Sequence, residues 1–414
     1  NLDIMITNEA KRKQQGENAL KLFNDRFTVR EAVLQISKHF PLLGEMKKLL
    51  MVLNTDYALL SHRIDIAIAA KKAGYEVHVA CGVTGFKDKI ENYGMQVHDI
   101  KMSRSGLNIF KELIVFFRIF TLYKRLSPSA IHLITIKPIV YGGIAARLLF
   151  RRGVIFAISG LGYVFSSKQW KARVIKTIVK PTYKYIFNGR NSKVILQNKV
   201  DINYMINKRL LVKDKVVLIP GSGVSLEKYV FVPESKTLNV LMASRLLRDK
   251  GVFEFIKASN RVKEVLPNAK FILTGEFDKE NPESISEHEL KDALESSPVK
   301  YIGYTNNIYK EICKCNVAVL PSYREGLPKF LIEAAASGRA AISTDAPGCS
   351  EVIDDNKTGL IVPIKNFEAL ADAIILLLSD ENIRYEMAKN ARKKAEKIYS
   401  INGIIKAHLD LYVV

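Results

Sequence analysis

Leu238-Asn-Val-Leu-Met-Ala-Ser244-Arg245-Leu-Leu-Arg-Asp-Lys250-Gly251 runs from an apolar strand into a basic loop, and Val252–Val265 follows at helical spacing. A short unbroken apolar run that leads through a loop into a helix is the pattern of a parallel strand buried on both faces. The alternation continues downstream, with strands read at 270–275, 299–302, 317–321, 340–343 and 359–362. Upstream it has already occurred once, at 49–54, 76–81, 97–100, 130–136, 154–158 and 194–197, with a helix over 64–73 that ends at Gly74. The expected fold class is α/β: two doubly wound, Rossmann-like domains facing each other across a cleft. A chain of 414 residues, 48% hydrophobic, can bury two such cores.

Ligands of open parallel sheets bind outside the carboxyl ends of the strands, so the loops there decide the chemistry. Arg245 and Lys250 occupy one such loop and can neutralise a diphosphate leaving group. A second, Pro321-Ser-Tyr-Arg-Glu325-Gly326-Leu327-Pro328, precedes a helix for which Pro328 suits the first position and which ends before Gly338. Free backbone amides and the positive end of the helix dipole favour a diphosphate there, and Gly326 permits close approach. Glu333, further along that helix, can accept hydrogen bonds from a ribose diol. Two glutamates eight apart are a weak pattern alone. The ordered set is more specific: Arg-x4-Lys-Gly, then Thr274-Gly275-Glu276, the Gly303 loop, and Glu-Gly-x6-Glu.

On these residues the sequence resembles the retaining glycosyltransferases of family 4, which have the GT-B fold; the resemblance covers about 46–412 and is strongest over 238–363. It implies that Arg245 and Lys250 bind the donor pyrophosphate, Glu333 the ribose and Glu325 the donor sugar, with Gly326 and Leu327 supplying phosphate-facing amides and the Gly303 loop bordering the nucleotide. Thr344-Asp-Ala-Pro-Gly348 and Glu351 fit the same pattern. It also implies a retaining, front-face reaction with no bound metal and no cofactor, a nucleotide sugar, UDP-linked by resemblance, being the co-substrate. The implied domains are 46–228 for the acceptor and 229–395 for the nucleotide sugar, with 396–414 a helix returning to the first.

Ile136-Lys137-Pro138-Ile-Val-Tyr141-Gly142-Gly143-Ile-Ala145-Ala146-Arg147 and Ile158-Ser159-Gly160-Leu161-Gly162-Tyr163-Val-Phe165 look like members that extend capsule, O-antigen or other lipid-linked saccharides. The implied acceptor is a polyprenyl-diphosphate saccharide. Many such members carry a His where this chain has Ser159; His62, at the cleft end of the first strand, and His132 are the substitutes to consider.

Charge suggests where the reaction takes place. The net charge is +21, and residues 101–200 hold nineteen Lys or Arg against one acid, Glu112. Apolar and basic residues alternate at helical spacing over 116–125 and 170–180, as on interfacial helices. The expectation is a cytoplasmic protein held peripherally on the inner, anionic face of the cell membrane. Nucleic acid is not the expected partner, because Glu325 and Glu333 would repel a phosphate backbone; a sugar-nucleotide epimerase of the same fold would have no use for a basic, aromatic face. Cys81, Cys313, Cys315 and Cys349 lack zinc-ligand spacing and read as reduced thiols. Residues 1–45 look like the final helix of a related enzyme: Asn18-Ala19-x-Lys21 aligns with Asn390-Ala391-x-Lys393, and Phe27, Val33 and Phe40 with Tyr399, Ile405 and Tyr412. A functional start at Met46 is the corresponding expectation, and chance likeness of two amphipathic helices the alternative.

Overall fold

The computed structural model describes residues 9–26, 46–103, 108–161, 170–189, 191–234, 236–279 and 281–413. It forms two units, Asn1–Lys47 and Lys48–Val414. The first contains helix α1 (Glu9–Arg26), with Leu20, Leu22 and Phe23 exposed. The alignments made above for Phe27, Val33 and Phe40, and the stretch 162–165, lie outside the described residues.

The second unit begins with β1 (Lys48–Thr55), α2 (Asp56–His62), α3 (Ile64–Lys72), β2 (Glu76–Gly82), α4 (Lys87–Glu91) and β3 (Gln96–Asp99). It continues with α5 (Ile109–Leu126), β4 (Ala130–Ile134), α6 (Ile136–Leu148), β5 (Val154–Ile158), α7 (Trp170–Phe187), β6 (Ser192–Leu196), α8 (Lys199–Asn207) and β7 (Val216–Leu218). Its seven strands lie parallel in the order β3-β2-β1-β4-β5-β6-β7. The chain then builds a second parallel sheet from β8 (Asn239–Ala243), α9 (Val252–Val265), β9 (Lys270–Thr274), α10 (Glu287–Glu295), β10 (Val299–Tyr301) and α11 (Ile308–Lys314). β11 (Val317–Leu320), α12 (Lys329–Ala336), β12 (Ala340–Thr344), α13 (Cys349–Val352), β13 (Gly359–Val362), α14 (Phe367–Ser379) and α15 (Glu381–Lys394) complete it, in the order β10-β9-β8-β11-β12-β13. Both sheets reverse direction beside their first strand, between β1 and β4 and between β8 and β11. These are the switch points at which doubly wound sheets open a crevice.

The expected α/β class and two doubly wound sheets are therefore what the chain adopts. Leu49 to Leu53 are fully buried, which a strand sandwiched between helices requires. Two local expectations are corrected. Ile136 begins α6 rather than ending β4, because Thr135 turns the chain with φ +74°. Pro328 caps α12 from outside, with ψ 114°, and Lys329 is the first helical residue. The edge strand β7 was not anticipated.

The last helix, α16 (Ile401–Tyr412), leaves the second sheet and packs against α3 of the first. It is launched by a bridge in which Val224 N donates to Tyr399 O at 2.8 Å and Ile401 N to Val224 O at 2.9 Å. Its end is held by Tyr75 Oη donating to Tyr412 O at 3.0 Å and by a 2.7 Å hydrogen bond between Tyr412 Oη and His132 Nδ1. His132 is thus a core residue, fully buried beneath α16 and remote from the role considered above. His408 is fully buried beside it, 3.4 Å from Arg63 Nη1.

Burial, and then the nearby charges of His408 and Arg63, hold His132 well below the ordinary imidazole range; burial and then Arg63 bring His408 down to about 3. Both are neutral in the fold but charge in the unfolded chain below its ordinary value of 6.5, so stability is present at neutral pH and is lost as pH falls. Between pH 7.5 and 5.5 each should cost on the order of 1 kcal/mol. Urea midpoints should therefore drop over that interval, and His408→Gln should flatten the dependence. A midpoint that is constant or rises towards pH 5.5 contradicts this.

Candidate active site

Lys250 and Glu325 meet at the switch point of the second sheet. The β8 loop brings Lys250 Nζ to 2.7 Å from Glu325 Oε1, which stands in the loop between β11 and α12. Both side chains are largely buried, and the ion pair compensates two charges that would be costly to bury singly. Arg245, at the end of β8, is aimed by Asp278, whose Oδ2 accepts from Nη1 at 2.6 Å; its guanidinium is otherwise part-exposed to the crevice. The carbonyl of Gly303 accepts from Gly275 N and Thr274 Oγ1, fixing the two loops of β9 and β10 to each other.

Glu333 is nearly fully buried on α12, and its Oε1 accepts from Tyr229 Oη at 2.7 Å. Burial pushes its pKa above the usual carboxylate value, with Lys329 and the tyrosine acting against that rise. Lys329 Nζ lies 3.7 Å from the same oxygen and donates to Ser61 O across the crevice at 2.9 Å. His62 is next along the chain from Ser61. Protein packed around its ring, then Lys329, Arg63 and Arg245, depress its pKa. Its side chain is also open to water, and with its pKa held below the ordinary value His62 is a neutral imidazole at physiological pH. Arg245, Lys329 and His62 therefore share one electrostatic neighbourhood spanning both lobes.

Gly326 is constrained in a way its sequence context did not show. A Cβ at this position would stand 1.6 Å from Ser159 O and 2.9 Å from Gln197 Oε1, both from the first lobe. What approaches Gly326 so closely is the opposite lobe's backbone. Leu327 is partly buried against the second core. Ser159 keeps an exposed side chain at this junction. Sequence reasoning missed Asp278, Tyr229 and Lys329, of which only Lys329 had a local signal, four residues before Glu333. It also missed Tyr57 and Tyr304, whose hydroxyls meet across the crevice at 3.3 Å. Cys81, Cys313, Cys315 and Cys349 are free thiols.

The family model described as glycosyl transferases group 1 matches residues 227–394, and that described as glycosyl transferase 4-like matches residues 48–198. The chain is 32% identical over 364 residues, 84% of this chain and 94% of the relative, to the N,N'-diacetylbacillosaminyl-diphospho-undecaprenol alpha-1,3-N-acetylgalactosaminyltransferase of Campylobacter jejuni. It is 24% identical over 327 residues, 74% of this chain and 81% of the relative, to the UDP-Gal:alpha-D-GlcNAc-diphosphoundecaprenol alpha-1,3-galactosyltransferase of Escherichia coli. Among solved structures, Anabaena Alr3699/HepE in complex with UDP-glucose superposes with a TM-score of 0.71 at 16% identity, over 89% of this chain and 100% of that one. This likeness shows the same fold, with two parallel sheets facing across a crevice.

Tyr229→Phe removes the hydroxyl that serves the buried Glu333 carboxylate. It should cost about 1–3 kcal/mol of stability, read from the denaturant midpoint. An unchanged midpoint contradicts the assigned contact.

Proposed function

This chain belongs to the group 1 glycosyltransferases, and on that footing we propose that it moves a sugar, with retention, from a UDP-sugar to a polyprenyl-diphosphate-linked saccharide at the inner face of the membrane. The observation that carries the reading is the Lys250–Glu325 pair beside Arg245 at the β8–β11 switch point. An arriving diphosphate competes for Lys250 and releases Glu325 to accept hydroxyl groups of the donor sugar. Arg245 and Lys250 then stabilise the charge that develops as the bond between the anomeric carbon and the diphosphate oxygen breaks. The acceptor hydroxyl attacks from the face the diphosphate leaves, and a departing phosphate oxygen takes its proton. The amides of Gly326 and Leu327 face the phosphates, the Gly303 loop borders the nucleotide, and Glu333 accepts from the ribose hydroxyls. His62, being neutral, holds a hydroxyl of sugar or acceptor by hydrogen bonding.

The acceptor class is supported by the relatives named above, which act on undecaprenol-linked saccharides. An α-linked product from an α-configured donor such as UDP-galactose is a retaining outcome, which supports retention here. Surface chemistry supports the membrane. No helix among the described residues is long and apolar enough to cross a bilayer. Yet α5 exposes Ile109 (73%), Phe110 (79%), Leu113, Ile114 and Phe117 (59%) on one side of its first half and carries Lys124 and Arg125, both exposed, in its last turn. Because α5 starts from the carboxyl end of β3, its apolar half lies at the crevice end of the first sheet. Bulky apolar groups beside cations suit an anionic interface.

A panel of nucleotide diphosphates should raise the melting temperature, UDP among them; no stabilisation by any of them contradicts the reading. Arg245→Ala and Glu333→Ala should each weaken donor binding or turnover about tenfold or more; normal kinetics in both contradict the assignment. Phe110→Ser with Phe117→Ser should reduce flotation with anionic vesicles while leaving UDP binding intact, and unchanged flotation removes α5 as the anchoring face.

A further inference from the structure

Two residues not assigned any role so far flank the Glu325 loop from opposite lobes. Asp201 stands in the first turn of α8 in the first lobe and is fully buried. Its own lobe organises it: Asn198 Nδ2 donates to Oδ2 at 3.0 Å, Leu161 N donates to the same oxygen at 3.2 Å, and Asn198 Oδ1 accepts from Asp201 N at 2.7 Å. The other oxygen, Oδ1, accepts from Arg324 Nη2 of the second lobe at 2.6 Å. Arg324 immediately precedes Glu325. On the other side of Glu325, Asn198 Nδ2 donates to Gly326 O at 2.8 Å, and Ser159 O closes against the Gly326 backbone. Lys199 N is bonded to the Glu351 carboxylate of the second lobe. Glu325 is thus bracketed by contacts to the opposite lobe, while its own side chain points to Lys250 within the second lobe.

The two members of the pair are unequal. Asp201 is fully buried with the lobes together, and Leu161 N and Asn198 share its charge with Arg324. Arg324 keeps about a quarter of its side chain in contact with water, so it can be hydrated when the lobes part. A contact whose acid keeps donors from its own lobe and whose base can be hydrated is able to be made and broken without stranding a charge. We infer that Asp201 and Arg324 are a positioning pair through which apposition of the acceptor lobe sets the Glu325–Gly326 loop for sugar transfer. The inference rests on the reading of Glu325 as the donor-sugar residue. Neither residue touches the reacting atoms in this account; both act through the loop between them. Coupling of this kind would delay assembly of the site until the lobes meet, and so restrain donor hydrolysis before the acceptor is in place.

The test uses the full chain with Arg324→Ala and Arg324→Lys, each checked for an intact thermal transition. Arg324→Ala should lower kcat for sugar transfer about tenfold or more while UDP affinity stays within about threefold. Arg324→Lys, which keeps a charge for the single contact to Asp201 Oδ1, should retain at least about a third of kcat. Hydrogen exchange supplies a readout independent of turnover. In Arg324→Ala the Leu161 amide, in the opposite lobe, should lose protection together with the 324–327 loop, and in Arg324→Lys both should stay protected. A kcat within about twofold of the unsubstituted chain overturns the proposal, as does a loss of UDP affinity equal to the loss of kcat, which would make Arg324 a donor ligand. Unchanged exchange at Leu161 overturns it even if no sugar transfer is detected, and absent transfer with the predicted exchange pattern counts against the assigned reaction alone.

Discussion

The ion pair between Lys250 and Glu325 is the contact from which the rest of the site takes its arrangement. Parallel strands oblige every loop at their carboxyl ends to face the same way, and reversal of strand order separates two of those loops enough to admit a ligand. In the second sheet those loops bring together the cation of Lys250 and the carboxylate of Glu325, each buried at a cost met by the other. A ligand that offers phosphate to the cation and hydroxyls to the carboxylate replaces one satisfied arrangement with another. Apolar or purely cationic ligands would leave one charge stranded. Compensation within the pair is thus what suits the site to the proposed sugar diphosphate.

The two lobes divide the chemistry along electrostatic lines. The second supplies Arg245, Lys250, Glu325 and Glu333, a balanced set suited to a molecule with an anionic centre and polar ends. The first contributes a long stretch nearly free of acid and a helix whose exposed first half is apolar. Neutral His62 and the carbonyl of Ser61 are what it presents to Arg245 and Lys329 across the crevice. A neutral ring there avoids repelling the cations that face it, which a protonated one would do.

Most strands were legible because parallel strands buried on both faces must be continuous apolar runs, as at Leu49 to Leu53 and Val317 to Leu320. Where that rule has no purchase the reading failed. The edge strand Val216–Leu218 has three residues, none fully buried, and Thr135 breaks a run that would otherwise extend to Ile136. Glu325, Lys250 and Arg245 were read into the crevice from loop position together with the ordered set of motifs, and the fold brings Lys250 and Glu325 into contact there. Asp201 could not be joined to Arg324, since 123 residues separate them and neither belongs to a local pattern. His132 shows a different ambiguity: a histidine on a strand is compatible with a cleft or a core, and only the return of α16 decides that it is buried. Gly326 was legible as a glycine needed for close approach, but what approaches it in the fold is Ser159 of the other lobe.

The most direct measurement of the central claim is a reaction on lipid: the protein, anionic vesicles carrying a polyprenyl-diphosphate-linked saccharide, and UDP-sugars supplied singly, followed by mass spectrometry and the anomeric proton coupling of the product. For one class of UDP-sugar, the lipid should gain a single sugar residue in α linkage, with UDP released in equal amount. A β-linked product contradicts the retaining mechanism. An epimerised sugar nucleotide, or UDP released with every lipid unchanged, contradicts the proposed reaction.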